Sequence, residues 1–358
     1  MKVAAYTGGP NLPSARLRIR QYIRHLLRYD VEVREYTLRF GKSQPKRRIC
    51  RAPWAVSTVI GRLTTMPLSH LADVTLFNRN AMPAFIPFEV LTKRPRVLDV
   101  DDAIWLSRGG HRCGPLAQAC DVVICGNGFL ADWFSQWNQN VCILPTAVDT
   151  DVLVPNTRNE EVPPVIGWTG TGQNLRYLYD IEKALAITLE RFERSRLLII
   201  SDTVPTLSCI PADRVQFVRW SPSREATALR LLSIGIMPLA NGDWERGKCS
   251  LKMLNYMACG VPTVVSPVGM NGEVLRLGNV GFAASTTDEW VEALTYLLGH
   301  LDAAKQIGDN GRSIAVQYFS VRRLTSKLAA ILYRSAGYTV PESLPRSPRT
   351  DTAKVNTA

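Results

Sequence analysis

Three residues in the stretch ERGKCSLKMLNYMACGVPTVVSPVG, Glu245 to Gly269, have a spacing that suits anion chemistry. A helical pattern begins near Cys249. Lys248, Lys252 and Asn255 stand at i, i+4 and i+7, so they share one stripe if the turn reaches back to Lys248. Leu251, Leu254 and Ala258 make a neighbouring apolar stripe. A helix start already carries about half a positive charge, which makes lysines unfavourable there unless an anion lies between them. A phosphate would accept from both ammonium groups and from the free backbone N–H groups. Two solvated lysines on a surface turn are the plainer alternative. The spacing predicts a phosphorylated ligand.

Two glycine-rich stretches add to this. In VIGWTGTGQNLRYL, Gly167, Gly170 and Gly172 end a strand pattern and a helix follows at once, an arrangement that lets backbone approach an anion. A plain tight turn fits the same residues. The chain opens in the same way, with a strand, then Gly8 and Gly9, then a helix carrying Arg16 and Arg20 on one face and Arg18 on another. VLDVDDAIWL puts Asp99, Asp101 and Asp102 at the end of a strand pattern, where they suit hydrogen bonds to hydroxyls or general-base work, with Asp101 preferred. The alternative for Asp102 is a helix cap.

The elements that must position these residues alternate along the chain. Strand patterns fall at 3–7, 31–36, 74–78, 97–100, 122–125 and 141–144, then at 165–168, 197–200, 215–218, 234–237 and 263–266. Helical patterns at 14–29, 128–137, 175–194, 224–232, 250–259 and 289–298 lie between them, with a further one at 321–338. Such alternation predicts parallel sheets covered by helices. Pro155, Pro163 and Pro164 break the rhythm at residues 151–163, which read as a linker between units 1–150 and 164–320. Residues 339–358 are polar and without period, and disorder is expected there. In open parallel sheets a ligand sits beyond the carboxyl ends of the strands, so two facing sheets would hold one in a cleft.

The net charge is +12, with Arg16, Arg18, Arg20, Arg24, Arg28, Arg34, Arg39, Lys46, Arg47, Arg48 and Arg51 crowded into the first unit. This points to nucleic acid, an anionic lipid surface or a phosphorylated ligand. Stacking aromatics in the basic stretch are thin (Tyr22, Tyr29, Tyr36, Trp54), which argues against nucleic acid. The eight cysteines include no CxxC and the four histidines are scattered, so no metal is expected; His25 reads as a surface residue. No stretch approaches the roughly 20 apolar residues of a membrane span. The expectation is a cytoplasmic protein that is soluble or lies on a membrane surface.

Four stretches, in order, resemble the retaining GT-B-fold glycosyltransferases of family four, the glycosyl transferases group 1. They are GGPNLPSARLRIRQYIRHL, VLDVDDAIWL, VIGWTGTGQNLRYL, and IGIMPLANGDWERGKCSLKMLNYMACGVPTVVSPVGMNGEVL; NVGFAASTTDEWVEAL follows in the expected order. The resemblance implies two doubly wound, Rossmann-like domains facing across a cleft, a C-terminal helix packing back on the first, and no metal or other cofactor. A nucleotide-sugar donor would be held mainly by the second domain and a glycan or lipid-linked acceptor mainly by the first. It implies donor contacts from Gly8, Gly9, Gly170, Thr171, Gly172, Glu245, Asn255 and Gly269. Acceptor contacts would come from Arg16, Arg18 and Asp102, and catalytic roles from Asp101, Lys248 and Lys252. The family's Glu-x7-Glu pair is replaced by Gly247 and Asn255. Its diphosphate-gripping Arg and Lys are replaced by Trp168 and Gln173, so that charge falls to Lys248 and Lys252, with Asp243 or Glu245 for sugar hydroxyls. The same resemblance suits surface-polysaccharide, lipopolysaccharide or glycolipid assembly. A sugar-nucleotide epimerase of this fold and an inactive basic binding module for nucleic acid or membrane are the alternatives.

Overall fold

The computed structural model describes residues 1–9, 12–38, 45, 47–79, 88–107, 109–156 and 162–344. They divide into two compact units. One comprises Met1–Ala147, the short segment Gly247–Cys249 and the chain from Val321 onward; the other comprises Val148–Arg246 and Ser250–Ser320. The basic residues Arg39 and Lys46, linker residues 157–161 and the end from 345 lie outside the described residues.

The first unit is built on six parallel strands, β1 (Lys2–Thr7), β2 (Glu32–Thr37), β3 (Val74–Asn78), β4 (Arg96–Val100), β5 (Val122–Cys125) and β6 (Val141–Ile143). Their order is β2-β1-β3-β4-β5-β6. β3 and β4 are buried along their whole length, as strands covered on both faces by helices must be. Ile19, Tyr22 and Leu26 share a core with Leu324, Leu328 and Leu332 of the Val321–Ser335 helix. The Tyr333 hydroxyl of that helix donates to the Tyr29 carbonyl at 2.9 Å. His25 is buried rather than exposed, on a helical turn packed against this C-terminal helix.

The second unit repeats the architecture with β7 (Val165–Thr169), β8 (Arg196–Ser201), β9 (Val215–Arg219), β10 (Ile234–Met237), β11 (Thr263–Val265) and β12 (Gly281–Ala283). The order β12-β11-β10-β7-β8-β9 is the doubly wound order of a dinucleotide-binding sheet. The chain reverses direction between β7 and β10, and that crevice is where such sheets take ligands.

Several elements differ from the sequence pattern. The 175–194 helix is broken at Ile181 into Leu175–Asp180 and Glu182–Arg191. Helices Arg51–Thr65 and Leu301–Ile314 and strand β12 were not anticipated. The start of the expected linker is held to the second unit, because the Arg312 guanidinium donates to the carbonyls of Thr150 and Leu153, at 2.8 and 2.6 Å, and to that of Ala258 at 2.6 Å.

A glycine sets the position of the helix that carries Lys252. Leu251–Ala258 packs on the sheet through Tyr256, and a Cβ at Gly235 in β10 would meet the Tyr256 ring at 2.3 Å. The Tyr256 hydroxyl accepts from the Thr169 N–H at 3.1 Å and donates to the Ile236 carbonyl at 3.2 Å, joining the ends of β7 and β10. Gly235→Ala overpacks this contact by about 2 kcal/mol. In a scanning calorimeter this is expected to appear as a fall in melting temperature of about 4–8 °C. An unchanged melting temperature would mean the helix can move away without loss.

Candidate functional site

At the carboxyl ends of β7 and β10 the second unit gathers Lys252, Trp168, Gly170, Tyr177 and Glu245. The helix begins at Leu251, not at Lys248. Ser250 before it adopts a left-handed conformation (φ 51°, ψ 23°), which ends any helical turn from upstream. The stripe of Lys248, Lys252 and Asn255 is therefore corrected to Lys252 and Asn255 alone. Ser250 stands at the N-cap position but does not cap. Its hydroxyl donates to Asn271 Oδ1 at 2.6 Å, and no side chain of its own covers the first-turn N–H groups.

Lys252 sits in that first turn with its ammonium over the Trp168 ring, 5.0 Å from the centroid. The contact holds a flexible cation in one place. Gly170 makes room for it: a Cβ there would meet Trp168 at 2.6 Å and Lys252 Cε at 3.2 Å. Trp168 is fully buried, and its indole N–H has no hydrogen-bond partner among the described residues. Asn255 is buried on the same helix.

The glycine loop does not work as the sequence suggested. The Gly170 N–H donates to the Ile200 carbonyl at 3.0 Å and the Gly172 N–H to Asp202 Oδ1 at 2.7 Å, so neither amide is left for an anion. These glycines supply space instead of donors. Thr171 is exposed, and its hydroxyl accepts from Asn174 Nδ2 at 2.9 Å. Gly269 has φ 53°, and a Cβ there would strike the Arg246 carbonyl at 2.7 Å.

Glu245 is buried beside Tyr177 and Arg176. The Tyr177 hydroxyl and Arg176 Nη2, the latter at 3.0 Å, both donate to Oε1. Burial and that bond push the Tyr177 hydroxyl up to about 12, so it is a donor at neutral pH. Asp243 is exposed and pairs with Arg246 at 3.5 Å.

In the first unit the carboxylates of β4 are matched by arginines. Arg18 is fully buried and grips Asp99 with two bonds, Nε to Oδ1 at 2.9 Å and Nη2 to Oδ2 at 2.7 Å; Nη1 reaches the Leu144 carbonyl at 2.8 Å. Burial opposes its charge, and Asp99 outweighs that, raising the guanidinium above its ordinary value. Arg18 is therefore a fold-holding residue and not an acceptor contact. Arg16 is half-buried on the same helical stretch.

Arg79 was not anticipated. It directly follows β3 with φ 58°, and its guanidinium bonds both Asp101, at 2.6 Å, and Asp102. Three clustered carboxylates require counter-charges, and an arginine after the neighbouring strand pattern was the available signal. Burial works to raise the Asp101 carboxyl, but Arg79 outweighs it and holds Asp101 below the usual carboxylate range. A carboxylate held this way is a poor proton acceptor. Burial pushes Asp102 upward, against the pull of Arg79 and Lys248. Lys248 belongs with this cluster: its carbonyl accepts from Asn127 Nδ2 at 3.1 Å, and Cys249 Sγ donates to the Asp101 carbonyl at 3.2 Å. Gly8 and Gly9 follow β1, both buried. Gly9 has φ 136°, and its carbonyl accepts from Arg20 Nη2 at 2.9 Å.

Residues 163–300 match the family model described as Glycosyl transferases group 1. No curated protein matches the chain by sequence. Among solved structures, sucrose-phosphate synthase from Thermosynechococcus elongatus is 14% identical, with a TM-score of 0.69 over 93% of this chain and 98% of that one. HepE from Anabaena, solved in complex with UDP and glucose, is 15% identical with a TM-score of 0.68 over 93% and 100%. WaaG, a glycosyltransferase involved in lipopolysaccharide biosynthesis, is 14% identical with a TM-score of 0.66 over 93% and 99%. The two six-stranded parallel sheets are those of the GT-B fold, and the group 1 resemblance is borne out over residues 163–300.

Proposed function

We propose that this GT-B-fold chain is a metal-independent, retaining glycosyltransferase. It moves a sugar from a nucleotide-diphosphate sugar, held by the second unit, to a glycan or lipid-linked acceptor, held by the first. The observation that carries the reading is Lys252, fixed on Trp168 in the first turn of a helix whose N-cap side chain is turned away, at the crevice between β7 and β10. A diphosphate placed there receives a cation and backbone N–H groups together. The likeness to a protein solved with UDP and glucose supports the donor class.

In this reading the bond from the anomeric carbon to the diphosphate breaks as the acceptor hydroxyl attacks from the same face. The departing phosphate oxygen takes the hydroxyl proton, so no side-chain base is required. That agrees with an Asp101 committed to Arg79. Lys252 stabilises the charge that grows on the diphosphate, the role a metal would otherwise fill. Glu245, with both bonds on Oε1, faces the sugar hydroxyls, and Asp102 the acceptor. In this reading the protein works in cell-surface polysaccharide, lipopolysaccharide or glycolipid assembly, at the inner face of the cytoplasmic membrane.

A thermal-shift panel of UDP, GDP, ADP, dTDP and CMP tests the donor class. A ligand at 100 times its Kd stabilises the folded state by about 2.7 kcal/mol. The expected result is a clear shift with one nucleoside diphosphate, unchanged by EDTA. No shift with any of them overturns the reading. Incubating the matching nucleotide sugar alone should leave its sugar unchanged, because transfer needs an acceptor.

A further inference from the structure

The Arg51–Thr65 helix of the first unit faces the wrong way for a surface helix. Trp54, Thr58 and Arg62, spaced i, i+4 and i+8, are buried. Arg62 donates to the carbonyls of Thr7 and Tyr36 at 2.6 and 3.0 Å and lies over the Tyr6 ring at 5.5 Å, which ties the helix to the ends of β1 and β2. The polar anchor therefore points inward. The aliphatic residues point out: Ile49 is 84% exposed, Val56 58%, Ile60 55% and Leu63 42%. Ala52, Ala55, Val56, Val59 and Ile60 line a shallow, wholly apolar depression of about 360 Å³. A soluble helix normally shows the reverse arrangement.

The sequence that carries this stripe has charge of one sign, although Arg62 is turned inward and Arg39, Lys42 and Lys46 lie outside the described residues. No acidic residue occurs between Glu35 and Asp73, while that stretch carries seven lysines and arginines. Arg47, Arg48 and Arg51 are exposed where the helix begins. We propose that this face is a membrane-docking surface, with Val56, Ile60 and Leu63 set into the headgroup boundary of an anionic bilayer and the arginines against its phosphates. The proposal deepens, and rests on, the membrane-facing reading above. An anionic bilayer is the partner that takes both features at once. A second copy would bring the same acid-free stretch to this face and offer the arginines no counter-charge from it. Nucleic acid would use the charge and leave the aliphatic stripe in water.

The test is flotation of the full chain with vesicles of phosphatidylcholine and phosphatidylglycerol at 3:1, against pure phosphatidylcholine. The expected result is binding to the anionic vesicles only, weakened by salt. Val56→Asp with Ile60→Asp should lower the partition at least tenfold, as should Arg48→Ala with Arg51→Ala, at about fivefold per charge removed. Both variants should keep the wild-type melting temperature and nucleotide shift. Wild type failing to bind, or variants binding like wild type, overturns the proposal. A wild-type dimer that the Asp pair splits, with no vesicle binding, also overturns it and makes the face a protein interface. Vesicle binding without any nucleotide shift in the wild type upholds the surface and sinks the transferase reading.

Discussion

Lys252→Ala is expected to lower the proposed sugar transfer by about 10²–10³-fold, the loss seen when one preorganised group facing a developing negative charge is removed. The drop should fall on kcat and kcat/KM together, because in the proposed mechanism the diphosphate charge grows in the transition state and its ground-state binding is shared with backbone N–H groups. The fold should survive. Lys252 is only half-buried, and its contact with Trp168 contributes about 0.5–2 kcal/mol. Steady-state kinetics beside a melting curve separates the two effects. Lys252→Arg keeps the charge but not the compact ammonium that the Gly170 gap accommodates, and should recover only part of the rate. Full activity in Lys252→Ala would remove the helix start from the mechanism. Lys248→Ala should have the smaller effect, because Lys248 belongs to the Asp102 cluster.

The strands were legible for a physical reason. A parallel strand covered on both faces must be apolar throughout, and runs such as VTLFN and IGIM announce it. The order of the strands was not, since nothing local distinguishes β10 pairing with β7 from β9 pairing with it. The pattern CSLKMLNYMACG reads as one continuous helix period. The break at Ser250 depends on its bond to Asn271, twenty-one residues away, which no window around the helix contains. The same holds for Gly172. A glycine after a strand suggests an open amide, and only the fold reveals that Asp202 already occupies it. The helix at 51–65 escaped for a different reason. Periodicity can reveal two faces but not which one is buried, and here the apolar one is outside. Lys252 was singled out by charge at a helix start, an argument that needs only local sequence. The partners of the Asp cluster needed the sheet: Arg18 lies 81 residues from Asp99, and Arg79 is positioned by the end of β3.

Arg18→Met is expected to cost the first unit about 3–5 kcal/mol, because it strands a buried carboxylate instead of removing a pair. Asp99 is 2% exposed and, among the described residues, keeps only the amide of Asn78, at 3.4 Å, once the guanidinium is gone. Burial already raises the Asp99 carboxyl above its ordinary value, with Arg18 pulling it back; the variant removes that pull. A carboxyl whose folded pKa lies above its unfolded one is tolerated below the unfolded pKa and penalised as pH rises through the folded pKa. The deficit of Arg18→Met relative to wild type should therefore be largest at neutral pH and shrink as pH falls toward 4. Urea unfolding at pH 7 and pH 4.5 measures this directly. Adding Asp99→Asn should restore most of the loss at pH 7, since a neutral amide keeps the site's shape and can bond Asn78. A deficit that stays constant with pH, or that Asp99→Asn fails to repair, would mean that Arg18 stabilises the unit by packing and by its bond to Leu144 rather than by neutralising Asp99.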